Sequence, residues 1–304
     1  MGLLAASSSP PGDYKKRFSR NIGILSPDEQ TALSGKTVGV AGVGGLGGHA
    51  LTNLARMGIG NFVIADIDSF DLSNINRQIG ASEQSLGVPK LDVMAQMIRD
   101  INPAVKVRCF HDGINPASVN DFVRQCDIVI DSLDFFCLTG RRLLYDACER
   151  QQKTVVLSAP LGFSSTLHVF SPTSMTTSQF FGWTPDMDKF EQLIQFAAGI
   201  SPSGLHLSYL KFERELLVEK KTGPSISSAC SLGGALVATE TLACLLQRRK
   251  PFQAPAYTQF DPYVGRYKRG RLLWGNRGLV QRIKIFLAKK YYGNLRDQFL
   301  DFIK

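Results

Sequence analysis

Cysteine is sparse and unpatterned in this chain. The six residues stand at positions 109, 126, 137, 148, 230 and 244, and no two form a Cys-x-x-Cys pair. A zinc ribbon of the usual spacing is therefore excluded. Unpatterned thiols fit a reducing compartment, and a cytoplasmic location is expected. No uninterrupted run of about twenty apolar residues occurs, so no membrane span is expected. The opening MGLLAASSSPPG lacks the basic start and long apolar core of a signal peptide. It reads as a flexible tail over residues 1–12. Ala6 stands where an N-myristoylation signal needs Ser or Thr. Internal repeats are absent.

What is present begins with glycine. VGVAGVGGLGG (38–48) is an apolar run ending in Gly42, Gly44, Gly45, Gly47 and Gly48. Val38 to Ala41 reads as a buried strand, and Leu46 onward as the helix that follows. A glycine-rich turn at such a junction lets backbone N–H groups approach a phosphate at a helix N-terminus. A second strand over 62–65 ends at Asp66, 24 residues after Gly42. A carboxylate there can meet ribose hydroxyls. To this point a dinucleotide and ATP fit equally well, and a purely structural glycine turn also remains open.

The next segment separates them. SNINRQ (73–78) and GVPK (87–90) place the Asn74 amide and the cations Arg77 and Lys90 after the glycine loop. A hydride-transfer enzyme has no use for two such cations. An enzyme that holds a triphosphate and expels pyrophosphate needs them to stabilise developing charge.

With RFSRNIGIL (17–25), DID (66–68), INP (101–103) and DIVIDSLD (127–134) in the same order, residues 14–170 resemble the ThiF/MoeB/HesA family, the bacterial relatives of ubiquitin-activating enzymes. The resemblance continues more weakly to residue 247. It implies roles for individual residues. Gly42, Gly44, Gly45, Leu46 and Gly47 would cradle the nucleotide, with Asp66 and Asp68 beside it. Asn74, Arg77 and Lys90 would contact phosphates. Asp134 would hold Mg²⁺ close to them. Arg20 would reach across a homodimer interface into the partner's site. Arg20, Arg77, Lys90 and Asp134 are thus the expected catalytic set, and ATP and Mg²⁺ the expected cofactors. The implied reaction is adenylation of a C-terminal carboxylate on a ubiquitin-like or sulfur-carrier protein or a peptide. Two alternatives stay within the family. One is a tRNA threonylcarbamoyladenosine dehydratase-like enzyme, and the other a non-catalytic scaffold. An NAD or FAD oxidoreductase would leave Arg77 and Lys90 without a role.

The chain departs from that family in several places. The paired Cys-x-x-Cys motifs of common relatives are missing. No cysteine lies between Cys148 and Cys230, so a thioester step is not expected. Cys230 and Cys244 read as buried helix residues. The usual Asp-Asn pair is Asp134-Phe135, and the arginine that normally follows is displaced to Arg141 or Arg142.

Alternation along the chain predicts strands at 37–41, 61–66, 105–110, 127–131 and 154–158. Helices are predicted at 45–58, 88–101, 116–125 and 139–151, after a helical entry over 13–34. The expected fold is α/β, a Rossmann-like, doubly wound and mostly parallel sheet. An antiparallel C-terminal extension, beginning with a strand near 166–172, and helical additions complete it. Residues 13–262 would form the adenylation domain, with 171–228 a variable substrate-side insertion containing a helix at 186–199. Phe180, Phe181 and Trp183 before that helix read as a staple for it or as a wall for substrate. Of the chain's 35 basic and 26 acidic residues, 265–304 hold eleven Lys or Arg and two Asp, leaving 24 of each sign elsewhere. The basic, amphipathic tail 263–304 would pack on the core or meet an acidic partner, RNA or an anionic membrane surface.

Overall fold

The computed structural model describes residues 13–211 and 213–303; the expected tail at 1–12 lies outside them. Nine strands form one sheet, in the order β3-β2-β1-β4-β5-β7-β8-β9, with the two-residue β6 pairing off β7. Here β1 is Thr37–Ala41, β2 Asn61–Ala65, β3 Lys106–Phe110, β4 Ile128–Asp131 and β5 Thr154–Leu157. These five pair in parallel. β6 (Pro160–Leu161), β7 (Ser164–Phe170), β8 (Ala256–Asp261) and β9 (Arg266–Arg271) continue the sheet antiparallel.

The parallel strands β1, β2, β4 and β5 are apolar almost throughout because both their faces are covered, whereas the edge strand β3, KVRCF, is only partly buried. Val38, Val40, Phe62, Ile64, Ile128 and Ile130 enter one core, beside helices Gly45–Met57 and Lys90–Ile101. The residues between them, such as Ala41, Val63, Ala65 and Val129, enter the other, beside helix Leu138–Arg150. This period of two is what a strand buried on both sides requires. The strand order reverses beside β1, where β4 takes the place on its other edge. Doubly wound sheets hold ligands outside the carboxyl ends of the strands at such a point.

Helix Ser227–Leu245 is long and apolar enough, by length and composition, to cross a membrane. It instead packs on helix Gly45–Met57. A Cβ on Gly234 would stand 2.5 Å from the His49 Cβ, so the close crossing depends on glycine.

The 171–228 insertion holds the expected helix as Lys189–Ile200, with shorter helices around it. Phe180, Phe181 and Trp183 are buried among Phe170, Tyr145 and Phe196. They are core residues and do not wall the site. The basic segment was not expected to contribute a strand, yet β9 is the sheet's last strand, and residue 263 falls inside the β8–β9 hairpin. Beyond it, helix Leu279–Tyr292 packs on helix Lys189–Ile200 through Gln281, whose amide donates to the Ala198 carbonyl (3.0 Å). Lys289 pairs with Glu191, and Arg296 with Asp188.

His168 on β7 is fully buried and meets the Ile200 carbonyl at 3.2 Å through Nε2. Burial pushes its pKa down to about 4. In the unfolded chain it takes a proton near pH ~6.5. Between those values only the unfolded state is protonated, so stability falls as pH drops through that window. Urea titrations at a series of pH values should show this, and His168→Gln should flatten the slope.

Candidate nucleotide site

The ends of β1, β2 and β4 meet at one cavity of about 1470 Å³. Gly42, just after β1, has φ +88°, and a Cβ there would stand 2.4 Å from the Ser132 carbonyl oxygen. On Gly47 a Cβ would come within 1.9 Å of the Gly42 oxygen. These two glycines let the β1 turn close against the end of β4, and Gly47 packs against that turn. Gly44, Gly45 and Leu46 line the cavity. Gly44 caps helix Gly45–Met57 without a side-chain bond to its amides. The first-turn N–H groups of a helix have no intrahelical partners and favour an anion.

Asp66 follows β2. One of its oxygens accepts from the Val43 N–H (2.8 Å) and the other from the Asp68 N–H (3.0 Å). Burial pushes its carboxyl upward, opposed chiefly by Lys90. A carboxylate has about four lone-pair sites, so capacity remains for ribose hydroxyls. Lys90 opens helix Lys90–Ile101 and is buried, with Nζ 2.9 Å from the exposed Asp68 carboxylate. The Arg77 guanidinium donates to the Ser73 carbonyl and the Asn76 side chain, each at 2.8 Å. Asp66, Asp68, Arg77 and Lys90 all line the cavity.

Two expected residues are not brought there. Asn74 is buried, and its Oδ1 accepts from the Asp71 N–H (3.1 Å), holding the turn Leu72–Asn74 together. Arg20 is exposed and off the cavity wall.

Asp134 lies beyond β4 on the wall, and its Oδ1 accepts from the Phe136 N–H (2.9 Å). It does not cap helix Leu138–Arg150, whose N-cap is Cys137. Among the described residues no group of three or more His, Cys, Asp or Glu could by itself hold a metal ion. A single accessible carboxylate beside a phosphate site nevertheless suits Mg²⁺, which keeps waters and takes phosphate oxygens as ligands.

Arg141 supports this loop from below. It is fully buried and ion-paired to Asp131 (2.8 Å), which also accepts from the Tyr145 hydroxyl. Its guanidinium donates to the carbonyls of Leu133 (2.7 Å) and Asp134 (3.1 Å) and lies 4.2 Å from the Phe196 ring centroid. Of the two arginines left open by the sequence, Arg141 holds the loop.

The ThiF family matches residues 18–274, which takes in the glycine turn, Asp66, Arg77, Lys90 and Asp134. The chain belongs to the ThiF family. Relatives include the maize adenylyltransferase and sulfurtransferase MOCS3-1, 35% identical over 55% of this chain and 36% of its own length. The tRNA threonylcarbamoyladenosine dehydratase of Haemophilus influenzae is 32% identical over 47% of this chain and 55% of its own. The sulfur carrier protein ThiS adenylyltransferase of Escherichia coli is 30% identical, over 51% and 62%. The chain thus spans about a third to three-fifths of the length of these curated relatives. Among solved structures, E. coli MccB with ATP shares the fold at TM-score 0.64 and 19% identity, covering 86% of this chain and 73% of that one. PaaA does so at 0.66 and 18%, covering 89% and 86%.

Within this ThiF fold the cavity also exposes residues that sequence reading did not single out. Gln78 and Ser158 are buried on its wall, and Gln78 Oε1 and Ser158 Oγ have no hydrogen-bond partner among the described residues. No motif marks Ser158, whereas Gln78 closes SNINRQ. Cys137 and Cys230 line the cavity too, and burial pushes both thiols up, away from the reactive thiolate.

Proposed function

We propose that this chain is an ATP-dependent adenylyltransferase that activates a C-terminal carboxylate of a ubiquitin-like or sulfur-carrier protein, or of a peptide. One observation carries this reading: the glycine turn, Asp66, Arg77, Lys90 and Asp134 line a single cavity. A carboxylate oxygen attacks the α-phosphorus of ATP, the bond to the bridging oxygen breaks, and pyrophosphate departs with that electron pair. The attacking carboxylate is already ionised at neutral pH, so no general base is required. Lys90 and Arg77 offset charge on the phosphates, and the turn and Asp66 fix the nucleotide. Mg²⁺, held through Asp134 and the phosphates, would supply further charge neutralisation. Burial disfavours the thiolates of Cys137 and Cys230, which supports direct transfer of the acyl group to an outside nucleophile. A homodimer in which Arg20 serves the partner's cavity completes the proposal. The six free cysteines agree with a cytoplasmic setting.

A second reading, action on an acyl group of tRNA, draws support from β9. Its cations Arg266, Lys268, Arg269 and Arg271 are exposed and have no carboxylate within ion-pair distance among the described residues.

Thermal unfolding with Mg-ATP tests the common core of both readings. A ligand at about 100 times its Kd stabilises by roughly 2.7 kcal/mol. An upward shift with Mg-ATP that shrinks in Asp134→Ala is expected. A shift with NAD and none with Mg-ATP would overturn the proposal. Pyrophosphate exchange driven by modified tRNA and by no peptide would favour the second reading.

A further inference from the structure

The cavity is larger than a nucleotide needs. Pockets for one drug-sized ligand run to about 300–1,000 Å³, and this one reaches about 1470 Å³. The glycine turn, Asp66, Lys90 and Asp134 line one part. Another part is walled by Ala197, Leu207, Leu210, Leu217, Leu287 and Tyr291. The first four of these belong to the insertion. The last two belong to helix Leu279–Tyr292, which lies beyond residue 274, where the family match ends. This apolar gallery is therefore built partly from a segment outside the shared family region. Leu207, Leu287 and Tyr291 are exposed although large and apolar. Contiguous exposed apolar surface beside a reaction site signals a ligand.

The gallery is not purely hydrocarbon. Lys284, one turn before Leu287 on the same helix, lines the cavity and donates to the Pro202 carbonyl (2.6 Å). Arg214 lines it as well, with its guanidinium 4.7 Å from the Tyr291 ring centroid. The unpartnered Gln78 Oε1 and Ser158 Oγ lie instead on the nucleotide side, beside Gly44 and Gly233, and play no part in the gallery. Both cations already have partners, Arg214 in Glu215 and the Tyr291 carbonyl, so the gallery offers mainly apolar surface to whatever carries the carboxylate that the adenylation reading brings to the phosphates.

We propose that the gallery is the acyl-substrate subsite and takes a peptide C-terminus whose last residues carry bulky apolar side chains, rather than a bare glycine tail. This rests on the adenylation reading and narrows its substrate class. The apolar side chains occupy the gallery while the terminal carboxylate reaches the phosphates beside Lys90.

ATP–pyrophosphate exchange tests it with three defined probes. Two are synthetic peptides identical except for endings Leu-Phe-Leu and Ala-Gly-Gly, and the third is octanoate. The apolar peptide should show kcat/KM about tenfold or more above the glycine peptide, since each buried apolar group is worth about 1–3 kcal/mol of discrimination. Ala197→Trp, which fills the gallery, should remove that preference without changing KM for ATP. Leu287→Gln, at an exposed position and so harmless to folding, should reduce it in the same direction. Equal or better use of the glycine peptide, octanoate outperforming both peptides, or a preference unchanged in both variants would each overturn the gallery assignment while leaving adenylation standing. Exchange with no probe overturns it too. If the Mg-ATP thermal shift is then also absent, the adenylation reading falls with it.

Discussion

Replacing Arg141 with methionine should cost about 3–5 kcal/mol of folding stability, the penalty for leaving one partner of a buried ion pair alone. Asp131 would then sit fully buried with no cation, its charge met only by the neutral Tyr145 hydroxyl and the Leu133 N–H. Urea denaturation with a two-state fit would read the loss as a lower midpoint at unchanged slope. The double variant Asp131→Leu with Arg141→Met should recover much of it, because a buried pair replaced by apolar groups is often neutral or stabilising. Recovery of stability need not bring back activity. Leu133 and Asp134 would still lack the donor that holds their carbonyls, and the loop carrying the proposed Mg²⁺ ligand would remain loose. A single variant costing less than about 1 kcal/mol would show that this pair is not the brace inferred from its burial.

Lys90→Met should lower the rate of pyrophosphate exchange about 10²–10³-fold with the fold intact, the usual loss when one donor to developing negative charge is removed. The ion-pair partner of this buried lysine, Asp68, is exposed, and Asp66, whose charge Lys90 also supports, keeps the Val43 and Asp68 N–H donors, so no carboxylate is left without a partner. Circular dichroism and the urea midpoint should therefore stay near those of the unsubstituted chain. Exchange falling less than about tenfold would move the main phosphate contact to Arg77.

The sheet's parallel half was readable because a strand buried on both faces has little freedom in composition. TVGVA, NFVIA and IVID are short apolar runs flanked by turn signals, and their limits agree with expectation to within a residue. The candidate site was legible for a related reason: its parts sit in local motifs at the ends of those strands. Asp66 and Asp134 stand just past strand ends, whereas Lys90, at the start of helix Lys90–Ile101, was marked by GVPK, and the roles of Lys90 and Asp134 came from the family resemblance.

Features made by distant segments were not legible. β9 reads RYKRGR, and nothing in a run of cations announces a strand. At a sheet edge those charges are useful, since they discourage pairing with another chain. Arg141 sits in LTGRRLLY beside a second arginine, and only packing distinguishes the buried one. The aromatic cluster at 180–183 is local in sequence, yet its fate was decided by Tyr145 and Phe196 from elsewhere. Likewise, the gallery requires helix Leu279–Tyr292 to return beside helix Lys189–Ile200, a contact of long sequence separation.

The Phe196 ring over the Arg141 guanidinium has a consequence for engineering. Phe196 belongs to the insertion, and Arg141 to the shared nucleotide fold. The variable segment therefore cannot be exchanged between relatives as a free cassette. A chimera that imports a foreign stretch over 171–228 uncovers the arginine and with it the loop at the end of β4. Substrate range in such a lineage would have to drift through paired changes on both sides of that contact.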